Sequence, residues 1–128
     1  MHWLAFGMAL LVAVGIIVIG ARYVSRPRAA ARVPFFGLPL PKDDPNIVWW
    51  LRLKGVRDIA SGLALLAFMV WGGSHMVGII LLAEAIIPIG DMLVVLAAKG
   101  SARSAFGMHG LTALLMILAG VTLTMGVA

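Results

Sequence analysis

Four of the side chains able to exchange protons stand inside long apolar stretches of this sequence. They are Asp58, Glu84, Asp91 and His109. A charged side chain within membrane hydrocarbon costs roughly 2.5–3.5 kcal/mol on insertion scales, so such residues are functional by default. Lys54 precedes Asp58 by four residues and is expected to pair with it along a helix, which leaves Arg57 to reach Asp91.

Three of these residues fall at similar depths when positions are counted along the apolar segments. The apolar run behind Asp58 covers only about 20 Å of a hydrocarbon core roughly 30 Å thick, which places Asp58 some 10 Å below the cytoplasmic boundary. Asp91 lies about 22 Å from the outer start of its segment, and His109 about 26 Å from the outer end of the next. The count predicts a buried polar layer near the cytoplasmic face.

Glu84 stands apart from this layer, about 12 Å from the outer face and near the midplane. Because Glu84 and Asp91 are seven residues apart, they share one helix face, and Pro88 lies on it too. The proline removes an amide and loosens the carbonyl of Glu84. We therefore expect a kinked helix whose two carboxyl groups form the wall of a polar cavity.

One hypothesis is a small-molecule site with acid–base chemistry inside a helical bundle. Its catalytic residues would be Asp58, Asp91 and His109, and its ligand-binding residues Lys54, Arg57 and Glu84. Arg57 would hold an oxygen of a small apolar metabolite or lipid, one aspartate would accept a proton, and His109 would donate one. Isomerisation or hydration of a hydrophobic metabolite would fit, and no cofactor or metal is expected. The alternative for these residues is helix packing, since polar contacts between membrane helices average roughly 0.6 kcal/mol.

A second hypothesis is a non-enzymatic membrane subunit or a small proton-linked transporter. Alternating access usually needs internal repeats or an oligomer, and the sequence has no convincing repeat, so transport would require a homo-oligomer. Soluble enzymes are excluded because no Gly-rich phosphate loop or serine nucleophile motif is present. A nucleic-acid partner is excluded as well: the pI of about 10.9 comes from basic residues placed where membrane topology puts them.

The composition requires these residues to be positioned by membrane-spanning helices. Of the 128 residues, 62% are hydrophobic and 12% charged, against about 25% charged in soluble domains. Mean hydropathy is +1.09. Four stretches are long enough to span a membrane, at about 3–21, 46–71, 76–98 and 105–126. They predict an all-α integral membrane four-helix bundle that forms a single domain over residues 1–128.

Basic residues set the expected orientation. The segment after the first span carries Arg22, Arg26, Arg28, Arg32 and Lys42, and the remaining basic residues lie near the same side. By the positive-inside rule, both termini face out and the loop 22–45 is cytoplasmic, in a multi-pass protein of the cell membrane. The four arginines would contact anionic lipid headgroups. Aromatic belts agree, with Trp3 and Trp71 outside and Tyr23, Trp49 and Trp50 inside.

The loop 22–45 is long for a helix–helix connection, which usually takes roughly 2–8 residues. It contains Pro27, Pro34, Pro39, Pro41 and Pro45, so we expect it to be extended rather than helical. Phe35, Phe36 and Leu38 are apolar enough to enter the headgroup layer. The loop is either an interfacial strap or a lid over a cavity.

Helix ends are predicted at three places. Asp44 can cap the second helix, with Pro45 at its first position. Lys99-Gly100 ends the third, with the glycine in the left-handed conformation. Ser101 or Ser104 can cap the fourth.

Several short motifs give the chain a family resemblance. They include Phe36-Gly37-Leu38-Pro39, Lys54-Gly55-Val56-Arg57-Asp58-Ile59-Ala60-Ser61-Gly62, Ile87-Pro88-Ile89-Gly90-Asp91 and His109-Gly110. The chain resembles the small four-helix membrane proteins of the domain-of-unknown-function 4267 family. The resemblance implies a bundle similar in style to DoxX-like membrane proteins and supplies no activity. Glu84 belongs to none of these motifs.

Overall fold

Helices make up most of the computed structural model, which describes residues 1–32 and 36–126. The α-helices are α1 His2–Ser25, α2 Pro27–Arg32, α3 Ile47–Trp71, α4 Gly73–Glu84, α5 Ile86–Ala97, α6 Ala102–Ser104 and α7 Leu111–Thr124, and a π-helical segment, Ala105–Gly110, joins the last two. The described residues contain no strand. The all-α fold is confirmed.

Three helical stretches among the described residues are long and apolar enough to cross a membrane. They are His2–Ser25, Gly73–Ala97, which joins α4 and α5, and Ala102–Thr124, which joins α6, the π-helical segment and α7. Large apolar side chains point outward along them, with Leu4 76%, Leu11 67% and Ile86 70% exposed. A soluble monomer rarely exposes so much contiguous apolar surface. The chain is therefore a membrane protein whose outer surface suits lipid.

Helices α1 and α3 pack closely and run antiparallel. A Cβ atom at Gly55 would lie 2.6 Å from the carbonyl oxygen of Gly20, and one at Gly62 would lie 2.7 Å from that of Ala13. Side chains at these glycines would force the backbones apart, so the small residues permit the contact. Consequently α3 lies beside α1 along most of its length.

The two ends of the bundle have different chemistry. At the terminal end, His2 Nε2 is 2.7 Å from Ser74 Oγ and His75 Nδ1 is 3.0 Å from the Thr124 carbonyl. At the opposite end, here called the basic end, Arg52 Nε donates to the Val24 carbonyl at 3.3 Å. The largest apolar core includes Ala5, Ala9, Leu65, Val77, Leu81 and Leu123. These residues fill the half of the bundle nearer the terminal end.

The third apolar segment breaks at Ala85, between α4 and α5. Pro88 has no amide to donate to the carbonyl of Glu84, as its position predicted. α4 packs against α3 and α7, whereas α5 contacts neither α1 nor α3 within the described residues. The break therefore separates a packed half of the bundle from an open half.

The predicted loop 22–45 is not wholly extended: residues 22–25 belong to α1, and Pro27–Arg32 form α2, so the prediction was wrong for both stretches. Pro27 begins α2, where a proline loses no hydrogen bond because the first amides of a helix have no internal partner. The Ala30 amide bonds back to the Arg26 carbonyl at 2.9 Å. Phe35 and Pro34 lie outside the described residues.

The end of α5 differs from the prediction in one residue. Lys99, with φ of 55°, takes the left-handed conformation expected of Gly100. The Gly100 amide bonds to the Val95 carbonyl at 2.8 Å, and the Lys99 amide to the Leu96 carbonyl at 3.0 Å, which is the pattern of a Schellman motif. Glycine is needed at position 100 for a different reason: a Cβ atom there would lie 2.5 Å from the Gly37 carbonyl oxygen.

The other predicted caps are close to those observed. Asp44 Oδ1 accepts from the Asn46 amide at 2.8 Å, although Pro45 precedes α3 rather than opening it. Ser101 Oγ accepts from the Ser104 amide at 3.2 Å and caps α6.

Candidate functional site

A cavity of about 490 Å³ lies between α1, α5 and the start of α7. Its volume is in the range of small-molecule sites, roughly 300–1,000 Å³. The wall from α1 is apolar and includes Met8, Val12, Ile16 and Ile19. The space exists because α5 diverges from α1 and α3 after the break at Ala85.

Polar side chains enter this cavity from every long helical segment. They are Tyr23, Lys54, Asp58, Ser61, Glu84, Asp91, His109 and Thr112. The structure thus brings together five of the six residues that the sequence singled out: Lys54, Asp58, Glu84, Asp91 and His109. Glu84, expected to stand apart, lines the same cavity as the others.

Lys54 and Asp58 form the predicted ion pair one helical turn apart. The Lys54 ammonium donates to Asp58 Oδ2 at 3.0 Å and to Oδ1 at 3.3 Å. The Asp58 side chain is 8% exposed and that of Lys54 30%. The ammonium also lies 5.3 Å from the ring centre of Tyr23. Both carboxylate oxygens of Asp58 are therefore bound to the Lys54 ammonium, and the pair lies on the side of α3 that faces Tyr23 of α1.

Arg57 does not contribute to the cavity, and its predicted contact with Asp91 was wrong. Its side chain is exposed and forms no ion pair or hydrogen bond with any described residue. Consecutive helical residues point about 100° apart. Because Asp58 faces the cavity, Arg57 must point away from it.

Asp91 is instead near His109. The Asp91 Oδ2 atom is 3.7 Å from His109 Nδ1, and the two side chains are 40% and 17% exposed. The other ring nitrogen, Nε2, is buried and makes no hydrogen bond within the described part of the chain. A carboxylate beside one nitrogen orients the ring and leaves the second nitrogen able to exchange a proton with a bound molecule.

His109 lies in the π-helical segment Ala105–Gly110, a feature that the sequence did not predict. The Thr112 hydroxyl, one turn later, donates to the Met108 carbonyl at 2.6 Å. Short π-helical turns are rare and occur frequently at functional sites. Their hydrogen bonding follows no simple residue pattern, so no motif in this sequence could have marked the segment.

Glu84 lies at the inner end of the cavity, beside the break at Ala85. The Ser61 hydroxyl of α3 lines the same cavity and is buried without a hydrogen-bond partner among the described residues. Ser61 was missed by the sequence reasoning, although its position three residues after Asp58 places both on one helix face. Tyr23 was missed too: assigned to an interfacial belt, it is only 4% exposed and lines the cavity.

These cavity residues fall within a recognisable family domain. The family model described as Domain of unknown function (DUF4267) matches residues 13–123. The chain belongs to the DUF4267 family. No curated protein and no solved structure matches it significantly. The DUF4267 region contains every polar residue of the cavity, and among the lining residues only Met8, Leu11 and Val12 precede it.

The DUF4267 motif Phe36-Gly37-Leu38 borders the cavity at the basic end of the bundle. Phe36 and Leu38 line it, and the Phe36 ring centre lies 6.2 Å from that of Tyr23. The Gly37 carbonyl accepts from the Ser101 amide at 2.9 Å, which ties the loop to the turn before α6. Phe36 and Leu38 therefore border the cavity, and the choice between an interfacial strap and a lid stays a prediction.

Proposed function

We propose that this DUF4267 protein binds a small hydrophobic molecule in the cavity, with His109 and Asp91 as its acid–base pair. One observation carries the proposal: six ionisable side chains, including the Tyr23 phenol, line one cavity of about 490 Å³ that is otherwise largely apolar. Intramembrane ionisable groups are costly to bury and are usually kept for a function. His109 would accept a proton from the bound molecule through Nε2 and later return it, and Asp91 would stabilise the protonated ring between the two steps.

Two glycines of α1 allow a matched test. Gly15 lines the cavity and Gly7 is exposed on the outer surface, and a Cβ atom at either meets nothing within 4 Å. Gly15→Leu should therefore fill the cavity without disturbing the backbone, and Gly7→Leu should leave the cavity unchanged. Molecules extracted from the purified proteins would be compared by mass spectrometry. A hydrophobic compound retained by wild type and Gly7→Leu but lost from Gly15→Leu supports the proposal.

The converse result would be equally informative. If the extracts of all three proteins are identical, the cavity does not hold the retained compound. Where a compound is found, its conversion by wild type and its persistence with His109→Gln would assign the acid–base role.

Proton-linked transport is the second candidate, favoured by the helix break next to Glu84. Discontinuous helices near the membrane midplane form the substrate sites of many transporters. Uptake into proteoliposomes driven by a pH gradient, together with crosslinking that detects self-association, would support transport. Monomers that show no flux would exclude it.

We further propose four membrane crossings, with both termini outside and the loop 22–45 in the cytoplasm. α3 contains Lys54, Arg57 and Asp58, which make it less apolar than the other helices. Its 25 residues and its packing along α1 nevertheless support a crossing. The position of the basic residues supports the orientation in the cell membrane, where Arg22, Arg26, Arg28 and Arg32 would meet anionic headgroups. Cysteine labelling at Ser74 and Lys42 from each side of intact cells would test it.

A further inference from the structure

The cavity is lined by more acidic than basic side chains, and this excess indicates the charge of the ligand that the proposed function requires. Three carboxyl groups line the cavity: Asp58, Glu84 and Asp91. Lys54 is the single lysine or arginine among the lining residues. Its ammonium is already bound to both oxygens of Asp58. Glu84 and Asp91 thus have no lysine or arginine partner within the described residues.

Resting on that proposed function, we propose that the ligand is a lipophilic amine whose ammonium group binds between Asp91 and Glu84. Both carboxyl groups are on the face of the third apolar segment that borders the cavity, one on each side of Pro88. The rest of the lining, mostly aliphatic, suits a hydrocarbon chain.

An anionic headgroup would be disfavoured at the same place. Burying an anion requires a cation or several hydrogen-bond donors to offset the lost hydration. Arg57, which is next to Asp58 in sequence, points away from the cavity, and Lys54 would have to leave Asp58. A carboxylate or phosphate would also lie close to Asp91 and Glu84, which repel it.

The partners of the two carboxyl groups leave room for a cation. Asp91 is 40% exposed, and its contact with His109 is long, at 3.7 Å. Glu84 forms no salt bridge with any described residue. An ammonium group at either acid would therefore displace no lysine or arginine.

Three probes with the same chain and different headgroups test the proposal: decylammonium, decanoate and decanol. Binding to the whole protein in phosphatidylcholine nanodiscs would be measured at pH 7, with empty nanodiscs subtracted. We expect decylammonium to bind at least tenfold more tightly than either other probe. Asp91→Asn and Glu84→Gln should each reduce that preference, and the double variant should abolish it. Asp43→Asn, an exposed loop acid outside the cavity, should retain it.

The outcomes separate this inference from the proposed function. Equal binding of all three probes, blocked by Gly15→Leu but not by Gly7→Leu, would overturn the amine proposal and leave the cavity as a binding site. Tightest binding of decanoate, or an ammonium preference that survives the double variant, would also overturn it. Binding that Gly15→Leu does not reduce would contradict both proposals.

Discussion

Asp58→Asn and Asp91→Asn are the same chemical change at two differently built positions, and they should differ in cost. The Asp58 side chain is 8% exposed and binds the Lys54 ammonium through both oxygens. Breaking a buried ion pair from one side costs about 3–5 kcal/mol. Since Lys54 is partly exposed and asparagine keeps one acceptor, we expect Asp58→Asn to lower the free energy of unfolding by about 1–3 kcal/mol, on the scale set by buried pairs.

Asp91→Asn should cost far less. Asp91 is 40% exposed and its one ion-pair contact in the described chain, with His109, is 3.7 Å long. Exposed pairs of this kind contribute about 0–1 kcal/mol. The free energy of unfolding would be measured by circular dichroism during titration of dodecylmaltoside micelles with sodium dodecyl sulfate.

A third variant isolates the unpaired charge. Adding Lys54→Met to Asp58→Asn removes the ammonium left without its carboxylate and should recover part of the loss. If Asp91→Asn destabilises the protein as much as Asp58→Asn, then Asp91 is a packing contact and loses its place in the proposed site.

Three further substitutions test the geometry around the cavity. Arg57→Ala should change the free energy of unfolding by less than about 0.5 kcal/mol and leave decylammonium binding unchanged. A tenfold loss of binding would show that Arg57 belongs to the binding site. Gly55→Ala should cost about 1–3 kcal/mol by overpacking in the same micelle titration, whereas Gly7→Ala, which meets open space, should cost nothing. Pro88→Ala supplies the missing amide, so we expect it to raise the unfolding free energy by about 1 kcal/mol, part of the roughly 3 kcal/mol helix penalty of proline. Pro88→Ala should also weaken decylammonium binding, because a continuous helix would draw α5 toward α1. Unchanged binding would show that the cavity does not depend on the break.

Features that depend on local spacing were predictable from the sequence. The Lys54–Asp58 pair follows from a separation of one helical turn, and the break beside Glu84 follows from one missing amide at Pro88. The long helices follow from apolar length alone. Each of these is decided within a few residues of the chain, so packing against other helices does not alter it.

Features that depend on direction or on distant packing were not predictable. Counting residues gives the depth of Arg57 but not the direction of its side chain. Asp58, the next residue, faces the cavity, so Arg57 cannot face it as well. From the sequence, Pro27 is expected to interrupt a helix. In the structure it begins α2, because the Arg26 carbonyl accepts the first hydrogen bond of that helix. The role of Gly100 depends on the Gly37 carbonyl, 63 positions away, which approaches only after the loop has folded against the end of α5.

The break at Ala85 connects the packed and the open halves of the molecule. Ala85 itself is 2% exposed and belongs to the apolar core, so the chain is fixed there before α5 diverges. Glu84 therefore lies where the core ends, whereas Asp91 and His109 lie nearer the basic end, where Phe36 and Leu38 also line the cavity. The amine site proposed between Glu84 and Asp91 therefore spans the break, with Glu84 on the packed side and Asp91 on the open side.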